Sequence, residues 1–106
     1  MKYHASVKEA VEKLASEETL FVTMMEQGNM RVEFYVPEGE DLQTPHKQDE
    51  LYIITSGVTD FIRDVEIIAC KQGDVLFVPA RMEHRFINFS EDFATWVIFY
   101  GPEVMI

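Results

Sequence analysis

The chain has 106 residues, the length of one domain, and 47% of them are hydrophobic, which is enough material for one folded core. Nine basic against nineteen acidic side chains give a net charge of -10, which argues against nucleic acid and membranes as partners because both attract positive protein surfaces. The single cysteine, Cys70, excludes an intrachain disulfide and favours the reducing cytoplasm as the location.

The predicted elements begin with one short helix over about residues 6–15. Ser6 followed three residues later by Glu9 has the spacing of a capping box, which satisfies free amides at a helix start. Apolar residues then recur at helical intervals, at Val7, Ala10, Val11 and Leu14. We expect this helix to cover an open end of the fold.

From residue 20 onward, short apolar segments alternate with turn residues, and the segments are predicted to be strands. They are Phe21–Met25, Arg31–Val36, Leu51–Thr55, Thr59–Arg63, Ile67–Cys70, Val75–Val78, His84–Phe89 and Thr95–Tyr100. Eight short strands at this spacing indicate an all-β sandwich or barrel. We therefore expect residues 1–106 to form one domain, with a barrel over about residues 20–100.

Polar residues cluster directly before the third predicted strand. His46, Gln48 and Glu50 alternate along the chain, and alternating residues of a strand point to one side. Burying three polar groups without partners is costly, so either this face is solvated or the groups converge on a ligand. A metal ion would remove the cost. With His84 added, two imidazoles and one carboxylate make the set used by open-sided Fe(II) sites and by some Zn sites.

A second segment resembles a conserved motif of the cupin superfamily, G-x5-P-x-G-x2-H-x3-N. Gly73, Pro79, His84 and Asn88 match it at the expected spacings. Arg81 stands where the motif has glycine, which leaves the turn type open because glycine tolerates a positive φ better than arginine does. Asn88 is expected to tie the strand end by side-chain hydrogen bonds.

The first segment resembles the other cupin motif, G-x5-H-x-H-x3,4-E-x6-G, through His46, Glu50 and Gly57. The resemblance implies a double-stranded β-helix, or jelly-roll barrel, that binds one divalent metal ion (Fe, Zn, Ni or Mn) with His46, Glu50 and His84. The first histidine of the motif falls at Thr44, a poor ligand. Three alternatives remain for this position: Gln48 supplies an amide oxygen, water or substrate fills it, or the site holds no metal.

The resemblance also implies a function for the barrel interior. Tyr52 is in phase with Glu50 and is the candidate catalytic residue. Further candidates for the cavity wall are Tyr35, Phe77, Phe86 and Trp96. The favoured function is a mononuclear metal-dependent enzyme, of oxygenase or isomerase type, that acts on a small organic molecule. The alternative is a non-catalytic small-molecule-binding protein, and in either case we expect a homodimer, because short strands leave edges that need covering.

Overall fold

The computed structural model describes residues 2–104, beginning with one helix, α1, at Val7–Glu17. The predicted helix is confirmed and extends two residues further. Ser6 caps it, because its side-chain oxygen accepts a hydrogen bond of 3.1 Å from the amide of Glu9. The helix ends at Glu18, which adopts a left-handed conformation. Among residues 2–104, no helix is both long and apolar enough to cross a membrane.

Between the helix and residue 104, eight strands follow, as predicted, and they form two antiparallel sheets. The strands are β1 Phe21–Gln27, β2 Met30–Tyr35, β3 Asp49–Ser56, β4 Val58–Arg63, β5 Glu66–Lys71, β6 Val75–Val78, β7 His84–Ile87 and β8 Ala94–Tyr100. The larger sheet has the order β1-β2-β8-β3-β6, and the smaller sheet has the order β5-β4-β7. This arrangement confirms the predicted all-β jelly-roll fold.

The register of the larger sheet brings residues distant in sequence into rows across its inner face. Directly paired residues of antiparallel strands point to the same side of the sheet. One row consists of Arg31, Phe99, Glu50 and Val78. The next row consists of Glu33, Val97, Tyr52 and Leu76. Glu50 and Tyr52 therefore both face the smaller sheet, as their phase predicts.

The aromatic core lies between the two sheets. Tyr52, Phe61 and Phe86 are each at most 1% exposed and meet edge to face or tilted, with Tyr52 and Phe86 ring centroids 4.9 Å apart. Gly57 lies at a tight point of this region. A Cβ atom there would come within 2.7 Å of the Cα atom of Phe93, so the backbone contact requires glycine.

A second, smaller core lies between α1 and the outer face of the larger sheet. Its buried members are Ala10, Val22, Met24, Phe34 and Ala94. Trp96 packs against this outer core, with its ring 5.2 Å from that of Phe34, and Phe77 is 43% exposed. The prediction that Trp96 and Phe77 line the cavity is therefore wrong, because both are out of phase with the inward-facing rows.

Candidate metal centre

Three predicted ligands meet inside the barrel. His46, Glu50 and His84 offer ligand atoms that all lie within 4.8 Å of one another. The Nε2 atom of His84 is 2.8 Å from the Oε1 atom of Glu50, and the Nε2 atom of His46 is 3.9 Å from the same oxygen. Glu50 lies on β3 and His84 on β7, whereas His46 belongs to the loop that precedes β3. The two sheets thus supply one ligand each and the loop supplies the third.

The carboxylate of Glu50 is buried without adequate partners. The residue is 1% exposed, and neither carboxylate oxygen accepts a well-aligned hydrogen bond from residues 2–104. The 2.8 Å contact with His84 is close enough for an ion pair, but the Nε2 atom of His84 is aligned instead with the hydroxyl of Tyr52, at 3.1 Å. Burying a charge in this way is costly unless the charge is paired or coordinates a metal. The donor set and the unsatisfied carboxylate therefore fit a divalent ion.

The ring of His84 is oriented for coordination through Nε2. Its Nδ1 atom is 2.9 Å from the carbonyl oxygen of Met82, which only accepts hydrogen bonds, so Nδ1 carries a proton. Such a bond from the other ring nitrogen is usual for histidines that bind metals. Burial lowers the pKa of His84, but the effect of the Glu50 carboxylate 2.8 Å away outweighs burial, so the pKa of His84 is raised. Burial lowers the pKa of His46, which favours its neutral, metal-binding form.

His46 is positioned by the turn between β6 and β7. Its carbonyl oxygen accepts a hydrogen bond of 2.8 Å from the amide of Arg81, and its ring packs edge-on against Phe99, with centroids 5.1 Å apart. Arg81 has a φ of +76°, a left-handed conformation that glycine adopts more easily than arginine does. The arginine resolves the open question of turn type, at a strain of about 1–2 kcal/mol. Asn88, with a φ of +53°, donates a side-chain hydrogen bond to Asp60, as expected.

The structure does not bring Gln48 to the three-ligand group. Its amide nitrogen donates hydrogen bonds to the carbonyl oxygens of Asn29, at 2.7 Å, and of Gly101, at 3.0 Å. The expectation that Gln48 shares a face with His46 and Glu50 is corrected, because β3 begins only at Asp49 and strand alternation does not apply before it. Thr44 is exposed.

A different glutamine, Gln43, reaches the site. Its Oε1 atom accepts a hydrogen bond of 2.9 Å from the hydroxyl of Tyr52 and lies 3.3 Å from the Nε2 atom of His46. Its amide nitrogen donates to the buried carboxylate of Asp41, at 2.7 Å. Sequence reasoning missed Gln43 and Asp41. The available signal was their alternation in the polar stretch between Gly39 and His46, which would place both side chains on one side of an extended loop.

A cavity of about 510 Å³ opens onto this group. It is lined on its polar side by Arg31, Glu33, Tyr35, Glu38, Glu40, Gln43 and His46. Its apolar wall is formed by Leu20, Phe21, Leu42, Val97 and Phe99. A larger cavity of about 630 Å³ lies beneath α1, but none of the candidate ligands lines it. A third cavity, of about 500 Å³, is lined by Gln43 and His84 but has a less apolar wall. We take the cavity beside His46 as the candidate binding site for a small molecule, because its apolar wall is the more extensive of the two.

Burial raises the pKa values of two groups at or near this cavity. Burial, together with the charge of Glu50, raises the pKa of Tyr52 well above its ordinary value, so its hydroxyl keeps its proton. Burial raises the pKa of Glu33 as well, although its carboxylate lies 2.7 Å from the Nε atom of Arg31. The site thus contains a protonated phenol beside the candidate ligands and one paired cation at its edge.

Comparisons with known proteins agree with this architecture. The family model described as "Cupin domain" matches residues 31–100. An uncharacterized protein of Streptomyces coelicolor, SCO3923, is 33% identical over 91 residues, which cover 84% of this chain and 87% of that protein. A cupin superfamily protein of Desulfitobacterium hafniense superposes with a TM-score of 0.65 at 21% identity, covering 81% of this chain and 77% of its own. The DMSP lyase DddQ of Ruegeria pomeroyi gives a TM-score of 0.66 at 19% identity, covering 76% and 46%.

Proposed function

Because the chain belongs to the cupin family, we propose that it is a mononuclear metal-dependent enzyme that acts on a small organic molecule. One divalent ion, of Fe, Zn, Ni or Mn, is held by His46, Glu50 and His84. The observation that carries this proposal is the carboxylate of Glu50, which is 1% exposed, without a well-aligned donor and 2.8 Å from a histidine nitrogen. Such a group is costly in a purely structural role and is usual at a metal.

The chain's own residues supply binding and orientation. When bound, the ion would polarise a substrate oxygen or activate O2 or water. Tyr52 keeps its proton, donates a hydrogen bond to Gln43 at 2.9 Å and lies 3.1 Å from His84, so its hydroxyl would orient a substrate oxygen near the ligands once that oxygen replaces Gln43 as the acceptor. The apolar wall of the 510 Å³ cavity excludes water from one side of the substrate.

The reaction is proposed to be of oxygenase or isomerase type. The DMSP lyase among the similar structures is one named activity on this fold, but fold similarity at 19% identity does not transfer that activity. Measuring O2 consumption with a panel of phenolic, thiol and keto-acid compounds separates the two types. An oxygenase consumes O2 with at least one of them, whereas an isomerase converts its substrate without O2.

A non-catalytic small-molecule-binding protein is the second candidate. Thr44 in place of the first motif histidine favours it, and so does the hydrogen-bonded chain that links His46, Gln43, Tyr52 and His84 without any ion. In that case the site is organised by its own polar network. Metal analysis distinguishes the two candidate functions. The non-catalytic binding protein can fold and bind its ligand while taking up no ion under any loading condition, whereas the proposed enzyme cannot.

The chain offers a matched control for metal analysis, because it has three histidines and the third, His4, is exposed. Protein without a polyhistidine tag should bind one ion per chain, and His4→Ala should bind the same amount. His46→Ala and His84→Ala should each lose most of it. If both site variants bind as much metal as the parent, the assignment of these ligands is wrong.

We also propose that the chain forms a homodimer. Within residues 2–104, four strands lie at the sheet edges, namely β1 and β6 of the larger sheet and β5 and β7 of the smaller one, and exposed edges are commonly covered by association. Sedimentation at micromolar concentration should give about twice the chain mass of 12.3 kDa. A mass equal to one chain would contradict the proposal.

A further inference from the structure

The side-chain amide of Gln43 is fixed in one orientation by a buried carboxylate. Asp41 is 2% exposed, and its Oδ2 atom is 2.7 Å from the amide nitrogen of Gln43. An ionised carboxylate only accepts hydrogen bonds, so the NH2 group of Gln43 must face Asp41. The carbonyl oxygen of the same amide is then directed away from Asp41 and toward the candidate ligands.

Asp41 is itself held in place by two further hydrogen bonds. Its Oδ1 atom accepts from the hydroxyl of Tyr35 at 2.6 Å, and its Oδ2 atom accepts from the backbone amide of Phe86 at 2.8 Å. Phe86 lies two residues after His84 on β7. The loop that carries Gln43 is therefore tied to the strand that carries His84, and the amide oxygen has a set position relative to that ligand.

The amide oxygen lies next to the Nε2 atom of His46, one of the three candidate ligand atoms. It is 3.3 Å from the Nε2 atom of His46, which in turn is 3.9 Å from the Oε1 atom of Glu50. Two ligands of one ion, each about 2.0–2.2 Å from it, are separated by at most roughly 4 Å. Both separations satisfy this limit. The oxygen of Gln43 is thus close enough to His46 for the two to bind one ion.

On the basis of the proposed function, we propose that Gln43 supplies a fourth protein ligand through its amide oxygen, with Asp41 as the residue that positions it. Gln43 then takes the place of the motif histidine that Thr44 lacks. The resulting set has two nitrogens and two oxygens instead of the three nitrogens and one oxygen of the complete motif. Carbonyl and carboxylate oxygens suit Mn(II), whereas imidazoles suit Cu(II) and Zn(II), so this set shifts relative affinity toward Mn(II).

The test compares two glutamines of the same loop region. Gln43→Met removes the amide oxygen while keeping the side-chain length, and Gln48→Met is the matched control, because Gln48 bonds only to backbone carbonyls away from the ligands. Affinities for Mn(II) and Zn(II) are measured by competition with a chromophoric chelator on full-length protein. The visible absorption of the Co(II)-loaded protein reports the ligand set, and circular dichroism confirms that each variant is folded.

We expect Gln43→Met to bind Mn(II) about 10- to 100-fold more weakly and to alter the Co(II) spectrum, while Gln48→Met matches the parent. A third variant, Gln43→His, adds an imidazole at this position and should raise the affinity for Zn(II) relative to Mn(II).

If Gln43→Met keeps the parent's affinity and Co(II) spectrum, the fourth-ligand assignment is wrong, while loss of metal in His84→Ala would leave the proposed function intact. Equal losses in Gln43→Met and Gln48→Met would also overturn the assignment, because the loss would then come from the loop fold. A parent protein that binds no metal would overturn both proposals together.

Discussion

Replacing Glu50 by glutamine separates a metal-binding carboxylate from a structural one, because the two roles predict opposite effects on metal-free stability. A structural carboxylate stabilises the fold whether or not metal is present. A ligand carboxylate that is 1% exposed and lacks a well-aligned donor destabilises the metal-free fold. Glutamine keeps the shape of the side chain and removes its charge.

The expected magnitude follows from the burial of Glu50. An unsatisfied buried polar group costs about 1–3 kcal/mol, and a glutamine in the same place retains part of that cost. We therefore expect metal-free Glu50→Gln to be about 1 kcal/mol more stable than the parent, which raises the Tm by about 4–8 °C in a domain of this size. The comparison is made at about pH 8.5, above the ordinary pKa of histidine of about 6.5, so that the ion pair with His84 contributes less.

With metal bound, the parent should be more stable than Glu50→Gln. An ion present at about 100 times its Kd stabilises the parent by about 2.7 kcal/mol, and the variant loses most of that gain with its charged ligand. Thermal unfolding is followed by circular dichroism with chelator and with Mn(II) or Zn(II). Glu66→Gln is the control, because its side chain is 77% exposed, and it should match the parent in both conditions.

Two results would refute this reasoning. A metal-free Glu50→Gln variant that is less stable than the parent by more than about 1 kcal/mol would show that the carboxylate is structural. A variant that keeps the parent's full metal-induced rise in Tm would show that Glu50 is not a ligand. Either result would remove the observation on which the proposed function depends.

Three further predictions concern the scaffold. In urea denaturation, Arg81→Gly should have a free energy of unfolding about 1 kcal/mol higher than that of Arg81→Ala. Both variants lose the arginine side chain, but only glycine relieves the φ of +76°. Equal free energies of unfolding would contradict the strain. Gly57→Ala should lower the stability by more than about 2 kcal/mol, because the added Cβ would meet the backbone of Phe93. Gly28→Ala should lower it by less, because Gly28 has a positive φ but open space around it. The reverse order in thermal unfolding would contradict the contact. Glu33→Gln should stabilise the protein at neutral pH, because burial raises the pKa of Glu33 and so disfavours its charged form in the fold. This advantage is complete above the raised pKa and fades as pH falls toward the ordinary value of 4.5, and a pH-independent advantage in urea titrations would contradict it.

The sequence determined the elements and the phase of the strands. Alternation along Glu50, Tyr52 and Ile54 is a local property of extended backbone, and it correctly placed all three side chains on the buried inner face. The spacing of His46, Glu50 and His84 likewise identified three groups that the barrel brings together. Strand regularity explains the placement of Glu50, whereas His46 lies in the loop before β3 and was identified by its match to the motif.

Alternation was less informative where both faces of a strand are covered or where neither is. Strand β8 contributes to the inner core on one face and to the second, outer core on the other, so the apolar character of Trp96 did not reveal which face it is on. On β6, an edge strand, Phe77 remains 43% exposed although it is large and apolar. The layer to which each belongs depends on the packing of α1 and on the strand order, which are properties of the assembled fold.

Only the tertiary structure decided which of Gln43 and Gln48 faces the candidate ligands. Both flank His46, and neither lies on a strand, so no periodic rule fixes where their side chains point. Gln43 is turned inward because Asp41 accepts the amide of Phe86, 45 positions away in the chain, and Gln48 is turned outward by the carbonyl of Gly101. The sequence by itself determined three of the groups at this centre. Long-range hydrogen bonds, which exist only after the loop closes onto the barrel, decided which glutamine faces them.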